Sequence, residues 1–482
     1  MTDPTVLGEA PQRAAAATPF AEDGALSETF VAAVVEAVDS GRRDAIETLL
    51  EPLHPSDIAA LLGQLNEDTR ERFLEFRGDS LDAEDLGEVL AELSPDIVES
   101  VVGAFETEKV AEAVADLDTD DAAFALENLE AETRAEILAE MPAPERTAVN
   151  AALDYEEESA GRLMQREVMA APGYWTVAQI LERLRGADDL PHRFYEIFVV
   201  DPAMRPVGSI PLSALLRAAS DLQLESLVED REMRLIPVTM DQEEVAYLFE
   251  HYNLISAPVV DPDGRLAGMI TVDDVVEIVH SETHEDMLAL GGVEADTGLS
   301  DNVLTTVRSR FNWLSVNLLT AILASFVISL FDDAIGKFVA LAVLMPIVAS
   351  MGGNAGTQTL TVAVRSLATK DLTPSNAARI IWREALVGGV NGFLFALIIG
   401  FCAGVWYYAT GGAPQKSLAL AAVVGVAMIV NLLAAGLAGI LVPLGLQRAG
   451  ADPAVASAVF VTTVTDVVGF FVFLGLAAIV LV

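Results

Sequence analysis

The chain has 482 residues, with 72 acidic side chains against 28 basic ones and a formal net charge of −44. A field of that sign repels nucleic acid and anionic lipid and attracts cations, divalent ones most strongly. A single cysteine, Cys402, excludes an intrachain disulfide and argues against a thiolate metal site. Residues 301–482 hold seven acids and nine bases, leaving 65 acids and 19 bases in the first 300. The charge therefore describes a soluble half, and with only four lysines a solvated surface suited to a salt-rich habitat explains it as well as cation binding does.

Residues 1–26 are polar and lack a basic stretch followed by an apolar one, so a disordered tail without a cleavable signal is expected, with the soluble half in the cytosol. Residues 27–150 read as a run of short amphipathic helices. Ser56–Asp57, Ser94–Pro95, Asp118 to Asp120 and Pro144–Glu145 mark helix starts, and Ser94 with Pro95 makes an N-cap followed by proline at the first helical position. Ile58, Leu61, Leu62 and Leu65 recur at helical spacing, and units of this size stack into an all-α, superhelical N domain. No catalytic constellation is present, and His54 reads as structural or merely exposed.

Between residues 155 and 280 the rhythm changes to short apolar strands (197–200, 257–260 and 266–271) followed by helices. Phe198-Val-Val-Asp-Pro with Pro206-Val-Gly-Ser-Ile, and Pro258-Val-Val-Asp-Pro with Leu266-Ala-Gly-Met-Ile, are two copies of one pattern. This pattern resembles a tandem CBS pair, an α/β module that commonly binds adenine nucleotides. The resemblance implies a ribose contact by a Thr/Ser-x-x-Asp motif, matched by Thr271 and Asp274; the first copy, at Ser209, lacks the acid. Dimerisation and coupling without nucleotide is the competing reading of such a pair. Residues 281–305 read as a helix connecting this region to the apolar half of the chain, with Glu282, Glu285 and Asp286 at three-to-four spacing, where like charges repel mildly.

Five stretches then reach bilayer length, at residues 311–331, 338–368, 385–408, 417–446 and 454–482. Pro346, Gly352, Gly353 and Gly356 interrupt the second, so loosened backbone lining a polar cavity is expected there. The glycines of the third and fourth stretches suggest close helix packing. Seven bases on one side of the stretches against two on the other place the N-terminus in the cytosol and the C-terminus outside. Asp466 stands in the last stretch, where a carboxylate costs about 2.5–3.5 kcal/mol on insertion scales and so argues for a cation or proton path. The competing reading is a structural carboxylate bonded to Thr462, Thr463 or Thr465. No second intramembrane acid or histidine continues a proton relay from Asp466.

Pro346 to Gln358, with Gly352-Gly-Asn-Ala-Gly at its centre, and Val464-Thr-Asp-Val-Val-Gly-Phe-Phe resemble the MgtE family of magnesium channels/transporters, as does the order of parts from about residue 30 onward. The resemblance implies a multidomain, multi-pass plasma-membrane protein and a homodimeric, Mg²⁺-selective pore with Asp466, Thr462 and Asn354 at the ion path. It also implies closure by cytosolic Mg²⁺ at acidic interfaces, on the matching positions Asp241, Glu243, Asp274, Glu277, Glu282, Glu285 and Asp286, with ATP as a further ligand. Two alternatives stay open: a transporter of another divalent cation such as Co²⁺ or Mn²⁺, and a non-conducting membrane sensor. An enzyme is a poor reading, because no nucleophile–base pair, P-loop or His/Cys cluster is present.

Overall fold

His54 shows how this chain starts a helix. Its backbone N–H donates to Asp57 Oδ2 (3.0 Å), its ring nitrogen accepts from the Ser56 N–H, and Pro55 occupies the first helical position, where no N–H is needed. Asp82 does the same for the helix Ala83–Ala91 by accepting from the Asp85 N–H at 2.9 Å. Ser94 holds the expected cap position, with Pro95 after it, but makes no side-chain capping bond.

The computed structural model describes residues 18–77, 81–186, 194–228, 233–293, 303–455 and 457–482, and it forms two compact units, residues 1–278 and 279–482. In the first unit, residues 1–17 of the expected tail lie outside the described residues. Residues 18–26 are ordered into a turn, in which Phe20 bridges Leu26 and Ser27 caps the helix Glu28–Asp39.

Among the described residues, helices from Glu28–Asp39 to Ala143–Leu153 follow one another with short turns. Ile58, Leu61, Leu62 and Leu65 are all buried, and they join Phe30, Phe73, Leu86, Leu90 and Val101 in one continuous core. Burying each large apolar side chain contributes about 1.5–3 kcal/mol, enough to hold helices too short to be stable alone. Arg162 (9% exposed) ties this core to the next module by donating to Glu127 Oε2 at 3.0 Å and to the Ala152 carbonyl at 3.1 Å.

That module is a repeat. Strands β1 (Ala170–Pro172), β2 (Glu196–Val200) and β3 (Pro206–Pro211) form one sheet; β4 (Ile236–Pro237), β5 (Ser256–Val260) and β6 (Leu266–Thr271) form a second. In each, the first pair is parallel and the second antiparallel, with the register irregular at Val199/Val200 and again at Val259/Val260. The turns match too: Asp201 Oδ1 accepts from the N–H groups of Ala203 and Arg205, and Asp261 Oδ1 from those of Asp263 and Arg265. Met204 (φ 61°) and Gly264 (φ 77°) hold equivalent left-handed positions.

The helix Val272–Leu290 leaves β6 without interruption and carries the acids of the connecting segment. Residues 294–302, part of the expected connecting helix, lie outside the described residues. Among its described residues the second unit contains five helices long and apolar enough to cross a membrane: Val303–Ser329, Ala340–Ala368, Ala377–Ala409, Pro414–Arg448 and Ser457–Val480. The fourth is central, with the second, third and fifth packed along it and the first against the fifth.

The expected loosening of the second span is not observed: Ala340–Ala368 is a continuous helix that contains Pro346. Its glycines serve close approach instead. A side chain at Gly356 would strike Val461 Cγ1 of the fifth span at 2.5 Å, and the Gly356 carbonyl lies against Gly439 of the fourth. The third helix begins at Ala377, earlier than its apolar stretch, and takes in Arg379 and Arg383.

Candidate metal sites

Asp466 lies near the middle of the fifth-span helix, half-buried. The neighbouring threonines do not serve it. Thr462 Oγ1 donates to the carbonyls of Ala458 (2.9 Å) and Val459 (3.0 Å), Thr463 Oγ1 to Val459 (2.6 Å), and Thr465 Oγ1 to Thr462 (2.9 Å). Each hydroxyl is turned back into its own helix, as threonines in apolar helices do. The second span passes alongside: a methyl placed on Gly353 would sit 3.8 Å from Thr462 Cγ2, and the next residue, Asn354, is exposed. Asn354 and Thr462 are thus brought to neighbouring helix surfaces, with Asp466 one helical turn beyond Thr462.

A second concentration of carboxylates is built within the first unit. A cavity of about 400 Å³ is lined by Glu92, Asp118, Asp120 and Asp121 from the helical domain and by Asp274 and Glu277 from the helix after β6; further acids stand at its rim, and its described lining includes no lysine or arginine. Thr119, inside the acidic run, is fixed by Glu167, which accepts from its hydroxyl (2.7 Å) and its N–H (3.2 Å). Burial, and then the charges of Asp274, Asp121 and Asp118, hold the Asp120 carboxyl well above its ordinary range. Burial and the charge of Asp274 push Asp121 up to about 7. Asp274 is pushed up to about 6, chiefly by burial, against the lowering effect of two bonds from Thr271. Glu277 is raised by burial and by Glu92. Carboxylates crowded until they resist ionisation make a site that gains strongly from a cation.

Of the candidate regulatory acids, Asp274 and Glu277 line this cavity; Asp241 and Glu243 do not. Asp241 instead caps the helix Gln242–Tyr252, accepting from the Glu243 N–H at 2.9 Å. Glu282, Glu285 and Asp286 lie farther along the helix Val272–Leu290. Burial raises Asp286, and the charge of Asp452, in the loop between the fourth and fifth spans, adds to it. Asp452, like Asp118, Asp120, Asp121 and Glu92, is not among the acids that the sequence singles out as candidates. The Asp118-Thr-Asp-Asp run had a signal, three acids in four residues, but it reads equally as a helix start. Among the described residues, no three His, Cys, Asp or Glu side chains are grouped to hold a metal ion.

Thr271 and Asp274 occupy the acidic cavity and bond to each other: Asp274 Oδ2 accepts from the Thr271 N–H (3.0 Å) and hydroxyl (2.8 Å). A separate cleft of about 700 Å³ lies between the two strand repeats, lined by Tyr195, Ser209, Arg234, Tyr252, Ile255 and Pro258 among others. The Arg234 guanidinium stacks 4.2 Å over the Tyr252 ring, and Ser256 donates to Glu196 at 2.6 Å in the wall. An arginine, two aromatic rings and a hydroxyl in a partly apolar cleft suit a purine and an anionic group.

Residues 345–476 match a family model described as a divalent cation transporter (MgtE), residues 53–158 the MgtE intracellular N domain, and residues 228–281 the CBS domain. The chain is 34% identical to a magnesium transporter MgtE of Enterococcus faecalis over 334 residues, covering 69% of this chain and 72% of that one. It is 32% identical to the Thermus thermophilus magnesium transporter MgtE over 461 residues, covering 95% and 99%. A solved cytosolic domain of the Mg²⁺ channel MgtE in complex with ATP is 31% identical and covers 52% of this chain and 99% of that chain, with a TM-score of 0.47.

Proposed function

The chain belongs to the MgtE family of magnesium transporters, and from that premise we propose that it admits Mg²⁺ across the plasma membrane and is closed by cytosolic Mg²⁺. The observation that carries the transport reading is Asp466. It is an intramembrane carboxylate whose neighbouring threonines have turned their hydroxyls away from it. Mg²⁺ dehydrates reluctantly and is usually held through one or two carboxylates and its own waters. A single acid per chain, paired with its copy in a homodimer, suits a hydrated ion in passage better than a closed ligand cage. Thr462 and Asn354 lie on the surfaces beside it and would meet the ion's waters.

The acidic cavity supplies the closing signal. Without divalent ions its carboxylates repel one another and take up protons. A hydrated Mg²⁺ among Asp118, Asp120, Asp121, Asp274 and Glu277 relieves that repulsion and favours the assembled state, as any ligand that binds one conformation better shifts the population toward it. Asp286 with Asp452 forms a second acidic pair suited to the same ion. Asp241 and Glu243 stand outside the cavity and take no part in this reading; Glu282 and Glu285 extend the charge of the connecting helix.

A nucleotide such as ATP takes the Arg234–Tyr252 cleft in this reading, with Thr271 and Asp274 left to the metal cavity, because phosphates would meet only like charge there. The N-terminus is cytosolic and the C-terminus outside, as the distribution of basic loop residues supports.

Expression in bacteria stripped of their own Mg²⁺ uptake systems tests the reading. The wild-type chain should restore growth at low Mg²⁺ and Asp466→Ala should not. Rescue by Co²⁺ or Mn²⁺ loading alone would favour another divalent cation, and no rescue by correctly inserted wild-type protein would favour a non-conducting sensor.

A further inference from the structure

Asn431 is an amide sealed among the spans. It lies in the central fourth-span helix and is 0% exposed. Its Nδ2 donates to the Val348 carbonyl of the second span at 2.8 Å, while its Oδ1 is buried with no partner among the described residues. Val348 stands one turn before Gly352, so the carbonyl that takes the Gly352 N–H in a regular helix also accepts the Asn431 amide.

Two glycines make the room. A methyl at Gly352 would fall on the Asn431 amide, and one at Gly469 of the fifth span would sit 2.9 Å from Nδ2 and 3.1 Å from Oδ1. The amide is therefore clasped between the second and fifth spans. Gly352 lies two residues before Asn354, and Gly469 three residues after Asp466. An apolar residue would fill such a space without burying an unpaired acceptor. A lone buried asparagine that costs stability but fixes the register of packed helices is a known physical device.

We propose that Asn431 is a positioning residue that pins the second span to the fifth and so sets the separation between Asn354 and Asp466 on which discrimination among hydrated divalent cations depends. This rests on the reading of Asp466 as the ion carboxylate. The amide touches no ion; it acts through the backbone of the second span and the close approach at Gly469.

The test compares full-length wild type, Asn431→Leu and the double variant Gly352→Ala/Asn431→Ala in proteoliposomes, recording thermal stability and the flux ratio of Mg²⁺ to Ca²⁺. In the double variant the added methyl refills the vacated space, so folding is supported while the hydrogen bond stays absent. Both variants should conduct with the Mg²⁺ preference reduced roughly threefold to tenfold, the range for loss of one interhelical hydrogen bond in a membrane. An unchanged flux ratio in a folded variant, with or without a drop in stability, would overturn the proposal, because a merely structural asparagine moves the melting point alone. If Asn431→Leu does not fold, the double variant decides. Asp466→Asn is run alongside: undiminished flux there would sink the pore reading itself, a result separable from any change in selectivity.

Discussion

Asp121 and Asp274 face one cavity from two modules more than 150 residues apart in sequence, and the charge of Asp274, after burial, holds Asp121 up to about 7. The sign of the resulting pH dependence is fixed. An acid whose folded-state value is raised binds its proton more tightly when folded, so its contribution is present below the ordinary carboxylate value near 4. It is lost as pH rises through the raised one. For Asp274 and Asp121 that loss ends at about 6 and about 7. Thermal melts of the Mg²⁺-free protein should therefore show stability falling between about pH 4.5 and about pH 7.5, a window that brackets the raised range. Added Mg²⁺ should stabilise most at the upper end and release protons as it binds.

Neutralising that cavity should loosen the switch. Asp121→Asn is expected to stabilise the Mg²⁺-free protein, since it removes repulsion and keeps the shape. It should also raise the cytosolic Mg²⁺ needed to shut off flux by roughly tenfold, the effect of about 1.4 kcal/mol of lost coupling. Flux assays with graded Mg²⁺ on the cytosolic face read this directly; an unchanged midpoint would remove the cavity from the gating account.

Arg162 gives a stability prediction free of transport. It is 9% exposed and bonded to Glu127, itself raised by burial against the lowering effect of this arginine. Arg162→Met should leave that partly buried carboxylate without its ion-pair partner, with only the more distant charge of Arg134 acting on it, at a cost of up to about 3 kcal/mol in denaturant melts. The half-exposed pair Arg42–Glu36, removed as a control, should change stability by less than about 1 kcal/mol.

Nucleotide binding separates two positions. Calorimetry with ATP should show binding lost in Arg234→Ala and retained in Thr271→Ala, because Arg234 lines the cleft between the repeats and Thr271 lines the acidic cavity. The reverse result would return the ribose contact to Thr271 and Asp274.

Much of this arrangement is legible in the residues. Span number, the strand repeat and the intramembrane Asp466 can be read from hydropathy, period and local motif, because each is a property of neighbouring residues. The acidic cavity is not, since Glu92, Asp118 to Asp121 and Asp274 meet only through packing of separate modules, and each acid alone reads as a solvated charge. Gly352 and Gly356 show a second limit. Glycines in an apolar run mark either a broken helix or a tight crossing, and only the partners Asn431 and Val461 decide for the crossing. Asp452 was hidden for a third reason: its partner Asp286 is far from it in sequence, and a loop acid has no periodicity to betray it.

The most direct test of the central claim is Mg²⁺ uptake by proteoliposomes holding full-length protein, wild type against Asp466→Asn, with Mg²⁺ on the cytosolic-domain side set low or high. The account predicts wild-type flux that shuts off at high cytosolic-side Mg²⁺ and little flux in the variant under either condition. Equal flux in Asp466→Asn, or wild-type flux indifferent to cytosolic Mg²⁺, would contradict it.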